Sequence, residues 1–90
     1  MIKRQKGYVL KRIEDTVYLL PYGQNIADQK RGLILNETGE FIWNYLEEEK
    51  TIEEITAGVA AYYEIADEEK EELAKDVDDF VNQLLGMGIL

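Results

Sequence analysis

The sequence predicts an α+β fold in which a three-stranded antiparallel sheet is followed by three helices. Two observations support this prediction. Up to about residue 35 the segments rich in β-branched and aromatic residues are short and separated by turn residues. From Asn36 onward the apolar residues recur with a period of about three and a half, as in helices. A chain of 90 residues with local connections and no linker is expected to form a single domain over residues 1–90.

The first two strands are predicted as a hairpin over residues 8–13 and 16–20, with Glu14 and Asp15 as the turn. Pro21 has no backbone N–H to donate and is expected to end the second strand. Residues 23–30 are polar and of loop length. A third short strand is predicted over residues 31–35.

Helix-start residues divide the rest of the chain into three helices. Asn36 is the predicted N-cap of the first, and Thr51 with Glu54 forms a capping box at the second. Asp67 is the predicted cap of the third and longest helix. The residues expected to face inward are Phe41, Ile42, Tyr45, Leu46, Ile52, Ile55, Val59, Tyr62 or Tyr63, Leu73, Val77, Phe80, Val81 and Leu84.

Two further expectations concern residues near the helix ends and on the first helix. Gly86 and Gly88 can both take the left-handed conformation that ends a helix, which lets Ile89 and Leu90 pack back onto the core. Trp43 falls off the inward face of the first helix. It is expected either to cover the rim of the sheet or to contact a partner enzyme.

Composition argues against most catalytic chemistry. The chain has no Cys, no His and no Ser, so the usual nucleophiles and the usual near-neutral base are missing. A zinc-type site and a disulfide framework are excluded for the same reason, and no calcium-binding loop motif is present. No catalytic residue, metal or cofactor is therefore predicted. The absence of a signal peptide or apolar span makes the cytoplasm the expected location, without membrane binding.

The net charge of −9 is unevenly distributed. Residues 1–31 contain seven basic and three acidic residues, a net charge of +4, whereas residues 32–90 contain three basic and sixteen acidic residues, a net charge of −13. The predicted sheet region is therefore basic and the helical region acidic.

A three-stranded sheet cannot close on itself, so at least one strand edge must remain open to an incoming peptide. The third strand is the candidate. Gly32 leaves room for close approach of a backbone, or alternatively marks a bulge at the strand start. Leu33 and Leu35 share one face of the strand, opposite Ile34. On the third helix Leu73, Val77 and Phe80 form an apolar stripe, flanked by Lys70, Lys75 and Asp76.

Three separated segments resemble the PqqD-like family, the precursor-recognition domains of ribosomally made and post-translationally modified peptide (RiPP) pathways. They are the strand-to-helix junction at residues 33–43, the capping box at residues 51–55, and residues 76–84 with the ending at residues 88–90. The resemblance spans roughly residues 8–90.

This resemblance implies a plan similar to a winged helix-turn-helix and a function without catalysis. The domain would hold the leader of a precursor as an added strand and deliver it to a modifying enzyme, such as a radical-SAM maturase, a leader protease or a cyclase. The residues that we predict to bind the peptide are Lys30, Arg31, Gly32, Leu33, Ile34, Leu35, Lys70, Leu73, Asp76, Val77 and Phe80.

Two other functions are weighed against peptide capture. A winged helix-turn-helix plan also suits DNA binding, but the helix that would enter the groove has eight acidic residues against Lys70 and Lys75, which opposes contact with phosphates. We therefore expect no nucleic-acid partner. The remaining alternative is a structural subunit that pairs edge to edge with a second copy of itself through the same open strand.

Overall fold

The structure is a computed structural model that describes all 90 residues. Its elements, in chain order, are β1 (Tyr8–Ile13), β2 (Thr16–Pro21), α1 (Gln24–Ala27), β3 (Leu33–Leu35), α2 (Glu37–Tyr45), α3 (Ile52–Tyr62), a 3-10 turn (Asp67–Glu69) and α4 (Lys70–Gly86). The α+β class and the antiparallel three-stranded sheet followed by three helices are as predicted; α1 is an additional short helix.

The sheet has the order β1-β2-β3, and both pairings are antiparallel. The hairpin turn lies at the predicted position, with Glu14 at a φ of 56°. The third strand is shorter than predicted, because it begins at Leu33 and leaves Arg31 and Gly32 outside. A Cβ atom at Gly32 would overlap the backbone carbonyl oxygen of Leu19. Glycine is therefore needed here by the fold itself, because the chain enters β3 directly against the backbone of β2.

The segment predicted as a loop at residues 23–30 contains α1. Gly23 begins this helix with a φ of 62°, a conformation that favours glycine. Asn25 fastens α1 to the N-terminal segment, since its Nδ2 donates to the carbonyl oxygens of Lys6 and Gly7 at 3.2 and 3.1 Å. The amide of Lys30 in turn donates to the carbonyl oxygen of Asn25 at 2.9 Å. The connection into β3 is thus held in place by hydrogen bonds.

The predicted caps of α2 and α3 are confirmed. The Asn36 side chain accepts from the amide of Gly39 at 2.8 Å. At α3, Thr51 Oγ1 accepts from the amide of Glu54 at 3.0 Å, and the Glu54 carboxylate accepts from the amide of Thr51 at 2.9 Å. These bonds satisfy amides that have no partner within the helix, and so they fix where each helix starts.

The predicted boundaries of the last helix were wrong in two details. Asp67 opens the 3-10 turn and its side chain caps no helix; it accepts instead from Lys70 Nζ at 2.8 Å. At the other end Gly86 belongs to α4, and only Gly88 takes a positive φ, of 76°. Residues 67–69 form a 3-10 turn before α4. The sequence pattern does not distinguish such a turn from the first turn of an α-helix.

The core lies between one face of the sheet and the helices. Its buried apolar residues are Tyr8, Val17, Leu19, Leu35, Ile42, Trp43, Leu46, Ile55, Val59, Val77, Val81, Leu84, Ile89 and Leu90. The final two residues pack back onto the core as predicted. Of the two tyrosines left open by the sequence, Tyr63 is half-buried and Tyr62 is exposed. None of the helices combines the length and apolar character needed to cross a membrane.

The expectation for Trp43 was wrong. Its side chain is only 3 % exposed and belongs to the core, so it is closed to a partner enzyme. The reason is the N-terminal segment, which pairs Ile2 with Lys50 and places the Arg4 guanidinium 4.9 Å from the centre of the Trp43 ring. The α2 helix is therefore covered on a second face that a simple amphipathic pattern does not anticipate.

Candidate functional site

The free edge of β3 is the first part of the candidate site. β3 pairs with β2 on one side only, through Leu33, Ile34 and Leu35. In an antiparallel ladder alternate residues direct their N–H and C=O groups to the neighbouring strand, and those between them direct theirs the other way. The strand therefore presents backbone donors and acceptors that no other strand uses.

A groove of about 300 Å³ beside the end of this strand is the second part. One wall is the start of α2 and the other is α4, and the lining residues are Asn36, Thr38, Gly39, Ile42, Leu73, Asp76, Val77 and Phe80. Val77 and Ile42 are buried at its base, whereas Leu73 and Phe80 are half-buried. An apolar side chain that entered the groove would remove these half-buried surfaces from water.

Gly39 brings the two walls of the groove together. A Cβ atom at this position would lie 3.2 Å from Phe80 Cζ and 3.3 Å from Leu35 Cδ2. The absence of a side chain in the first turn of α2 thus allows the Phe80 ring to pack close to the end of β3. The groove therefore begins where β3 ends.

The rim of the groove is acidic. Asp76 is exposed and takes part in no ion pair. Its carboxylate can accept hydrogen bonds from the N–H groups or cationic side chain of a molecule in the groove. The site thus combines an open backbone edge, an apolar groove and one free acceptor.

The structure brings most of the predicted residues together. Leu73, Asp76, Val77 and Phe80 all line the groove. Leu33 and Leu35 face the core side of the sheet, half-buried and 5 % exposed respectively, and Ile34 is 64 % exposed on the opposite face. Lys30 and Arg31 are exposed before the strand starts.

Lys70 is the predicted residue that lies elsewhere. It lines a different groove, between α3 and α4, of about 640 Å³. Its ammonium group is engaged by Asp67, and the hydrogen bond and charge of Lys70 lower the pKa of the Asp67 carboxyl. Helical spacing places Lys70 beside Leu73, but the two residues line different grooves: Lys70 the one between α3 and α4, and Leu73 the one between α2 and α4.

Sequence reasoning missed the wall contributed by α2, namely Asn36, Thr38, Gly39 and Ile42. A usable signal was present. A glycine two residues after the first residue of a helix has an intrinsic cost, and such a glycine often marks a close approach of another element.

Comparisons with known proteins agree with this geometry. The family model described as coenzyme PQQ synthesis protein D (PqqD) matches residues 23–90. A solved structure, TbiB1 in complex with the TbiA(beta) leader peptide, resembles the chain with a TM-score of 0.73 and 28 % identity, over 99 % of this chain and 94 % of that one. No curated protein matches. The family match covers β3 and all three helices that follow it, and the chain belongs to the PqqD family.

Proposed function

We propose that residues 1–90 act as one peptide-recognition domain, which captures the leader of a ribosomally made precursor as an added strand on β3 and presents it to a separate modifying enzyme. The observation that supports this most strongly is that β3 has a free edge and is followed directly by the apolar groove of α2 and α4, whose lining starts at Asn36. TbiB1, which was solved with a leader peptide, shares the fold over almost its whole length.

In this proposal the strand edge supplies affinity and the groove supplies selectivity. Backbone hydrogen bonds to β3 accept any sequence that can extend, and so they supply affinity with little selectivity. The groove then selects for an apolar side chain of limited size beside the end of β3. Asp76 at the rim adds a preference for a donor or a cation at the neighbouring peptide position.

The proposed role is a scaffold and not a catalyst. The two carboxyls with shifted pKa values, Glu54 and Asp67, are both lowered by local hydrogen bonds. A carboxyl that acts as a general acid near neutral pH needs a raised pKa, so neither of these two groups is suited to that role. The modifying enzyme, whether a radical-SAM maturase, a leader protease or a cyclase, would be a second protein. We expect the domain to work in the cytoplasm, where precursors are synthesised.

A titration that assumes no particular precursor tests this proposal. Peptides are first selected from a random library for binding to the whole chain, and the best are titrated into the ¹⁵N-labelled protein. We expect amide shifts to change over residues 30–36 and 70–80. Changes confined to other residues would refute the proposed site.

A further inference from the structure

A basic cavity lies at the end of the sheet where β1 begins, β2 ends and β3 begins. Its volume is about 590 Å³, and it is lined by Lys3, Arg4, Gln5, Lys6, Tyr8, Asn25, Lys30 and Gly88. Four of these eight residues are basic and none is acidic, in a chain whose net charge is −9. Such a concentration of one charge opposes the overall charge of the molecule and attracts anions locally.

The cations of the basic cavity have no acidic partner in the chain. The three ion pairs of the structure are Arg12 with Glu40, Lys50 with Glu48 and Lys70 with Asp67. Glu47 and Glu49 share a neighbouring cavity with Lys3 and Arg4 but form no ion pair with them. Lys6 and Lys30 do not line that neighbouring cavity and are the cations least compensated by the fold.

The backbone around Lys6 and Lys30 is fixed by hydrogen bonds. Asn25 donates from its side chain to the carbonyl oxygen of Lys6 and accepts at its own carbonyl oxygen from the amide of Lys30. This single residue of α1 therefore ties the N-terminal segment to the entrance of β3. The two lysines are held near each other before any ligand arrives, which lowers the ordering cost of binding.

Strand direction decides which part of a bound peptide would reach this cavity. Antiparallel pairing is slightly more stable per residue than parallel pairing, and it continues the pattern of this sheet. A peptide antiparallel to β3 leaves the strand near Lys30 with its C-terminal part. Lys30 is three residues before Leu33, so the peptide reaches the cavity about three residues after its paired segment.

The opposite end of the sheet has the opposite charge. The hairpin turn provides Glu14 and Asp15, both exposed, and α2 begins with the exposed Glu37. An acidic segment placed there would be repelled, whereas the same segment at the start of β3 would be attracted. The two ends of the sheet therefore favour one orientation of a peptide that has an acidic side.

We infer that the captured leader contains an acidic stretch immediately C-terminal to its strand-forming segment, and that this stretch occupies the basic cavity. The inference rests on the proposed function and adds the charge pattern of the peptide. It assigns the N-terminal segment and α1, which lie outside the strand edge and the groove, a role in selecting the precursor.

The test compares two charge-reversal variants of equal net charge. K6E/K30E reverses the basic cavity, and K11E/K75E reverses two exposed lysines on β1 and α4. All four side chains are exposed and without hydrogen bonds to other side chains, so both variants are expected to keep the thermal unfolding midpoint of the parent. Peptides selected against the parent chain should show Asp or Glu after an apolar segment. Their Kd should rise about tenfold in K6E/K30E, less than twofold in K11E/K75E, and the difference should shrink at high salt.

The outcomes separate this inference from the proposed function. Selected peptides that perturb β3 and α4 but show no acidic enrichment, or that bind both variants equally, would overturn the charge pattern and leave strand capture standing. Peptides that perturb neither β3 nor α4 would overturn both. Random single-stranded DNA that competed as strongly as the peptides would also overturn the inference, because the cavity would then be a general polyanion surface.

Discussion

The two grooves along α4 differ in volume and in their position relative to β3. The groove between α3 and α4 is the larger, about 640 Å³, and more than half of its lining residues are apolar, among them Ala57, Ala60 and Ala74. The groove between the start of α2 and α4 is about 300 Å³. Only the smaller one lies beside an unpaired strand edge, so only there can a peptide gain backbone hydrogen bonds while it buries apolar side chains.

Under the proposed function, the smaller and less apolar groove is the peptide site, because it lies beside the strand that binds the peptide. A groove between two complete helices offers no backbone groups, because the helices satisfy their own. The strand edge, in contrast, has donors and acceptors that only a partner can satisfy. The predictions below test whether the two grooves differ in this way, starting with the largest expected effect.

The smaller groove lies beside β3, and the position of β3 depends on Gly32. We predict that Gly32→Ala lowers the free energy of unfolding by about 3 kcal/mol, because the new Cβ must displace the backbone of β2. Gly86→Ala is the matched control. A Cβ at this helical position would contact nothing, and alanine favours a helix more than glycine does. Urea unfolding measures both. If Gly32→Ala lowered the free energy of unfolding by less than about 1 kcal/mol, Gly32 would not be packed closely against the backbone of β2.

Adjacent residues of α4 allow a direct comparison of the two grooves. We predict that Leu73→Gln weakens the selected peptides about thirtyfold, roughly 2 kcal/mol, because it places an amide on the wall of the smaller groove. Ala74→Gln alters the larger groove by a similar polar group and should change Kd less than twofold. Isothermal titration calorimetry supplies both values. Equal losses in the two variants would mean that the grooves had been assigned the wrong way round.

The two N-caps offer a comparison in which stability and binding separate. Asn36→Ala and Thr51→Ala each remove a side-chain cap and should each cost about 1 kcal/mol of unfolding free energy. Only Asn36 lines the peptide groove, so only Asn36→Ala should also weaken peptide binding. Denaturant unfolding and titration of the same samples check this. A binding loss for Thr51→Ala as large as that for Asn36→Ala would count against the assignment.

The smallest predicted effect is the pH dependence of the α3 capping box. The amide of Thr51 donates to the Glu54 carboxylate and lowers the pKa of Glu54 below its ordinary 4.5. The stabilising contribution is therefore complete above about pH 4.5 and is lost as the pH falls through the lowered pKa. Glu54→Gln should show a shallower fall in urea midpoint over this range. If the urea midpoints of parent and variant fell equally with decreasing pH, the Glu54 carboxylate would not stabilise the start of α3.

The sequence predicted the order of the three strands and the three longer helices, because several of their boundaries have a local cause. The turn at Glu14 and Asp15 and the caps Asn36 and Thr51 depend on neighbouring residues only, and all three lie where expected. The α4 wall followed from helical spacing for Leu73, Val77 and Phe80. These features require no knowledge of which elements touch.

Some differences are local, namely α1 within the predicted loop and the two ends of α4, whereas those near the candidate site arise from tertiary contacts. Trp43 is buried beneath the N-terminal segment, where Arg4 lies against its ring, and Lys70 lines the groove between α3 and α4 and not the groove that contains Leu73. Gly39 was overlooked as part of the groove although its close contact with Phe80 joins the two walls. Each case involves two elements far apart in the chain, whose meeting is determined by packing and not by local pattern.

Amide hydrogen exchange at β3, measured with and without a selected peptide, tests the central claim most directly. The amides of β3 that face away from β2 have no partner strand in the unbound chain, and strand addition predicts strong new protection of these amides on binding. The amides along the α3 side of α4 should be unchanged. A peptide that binds tightly in the groove but leaves the exchange of β3 unaltered would contradict capture by strand addition.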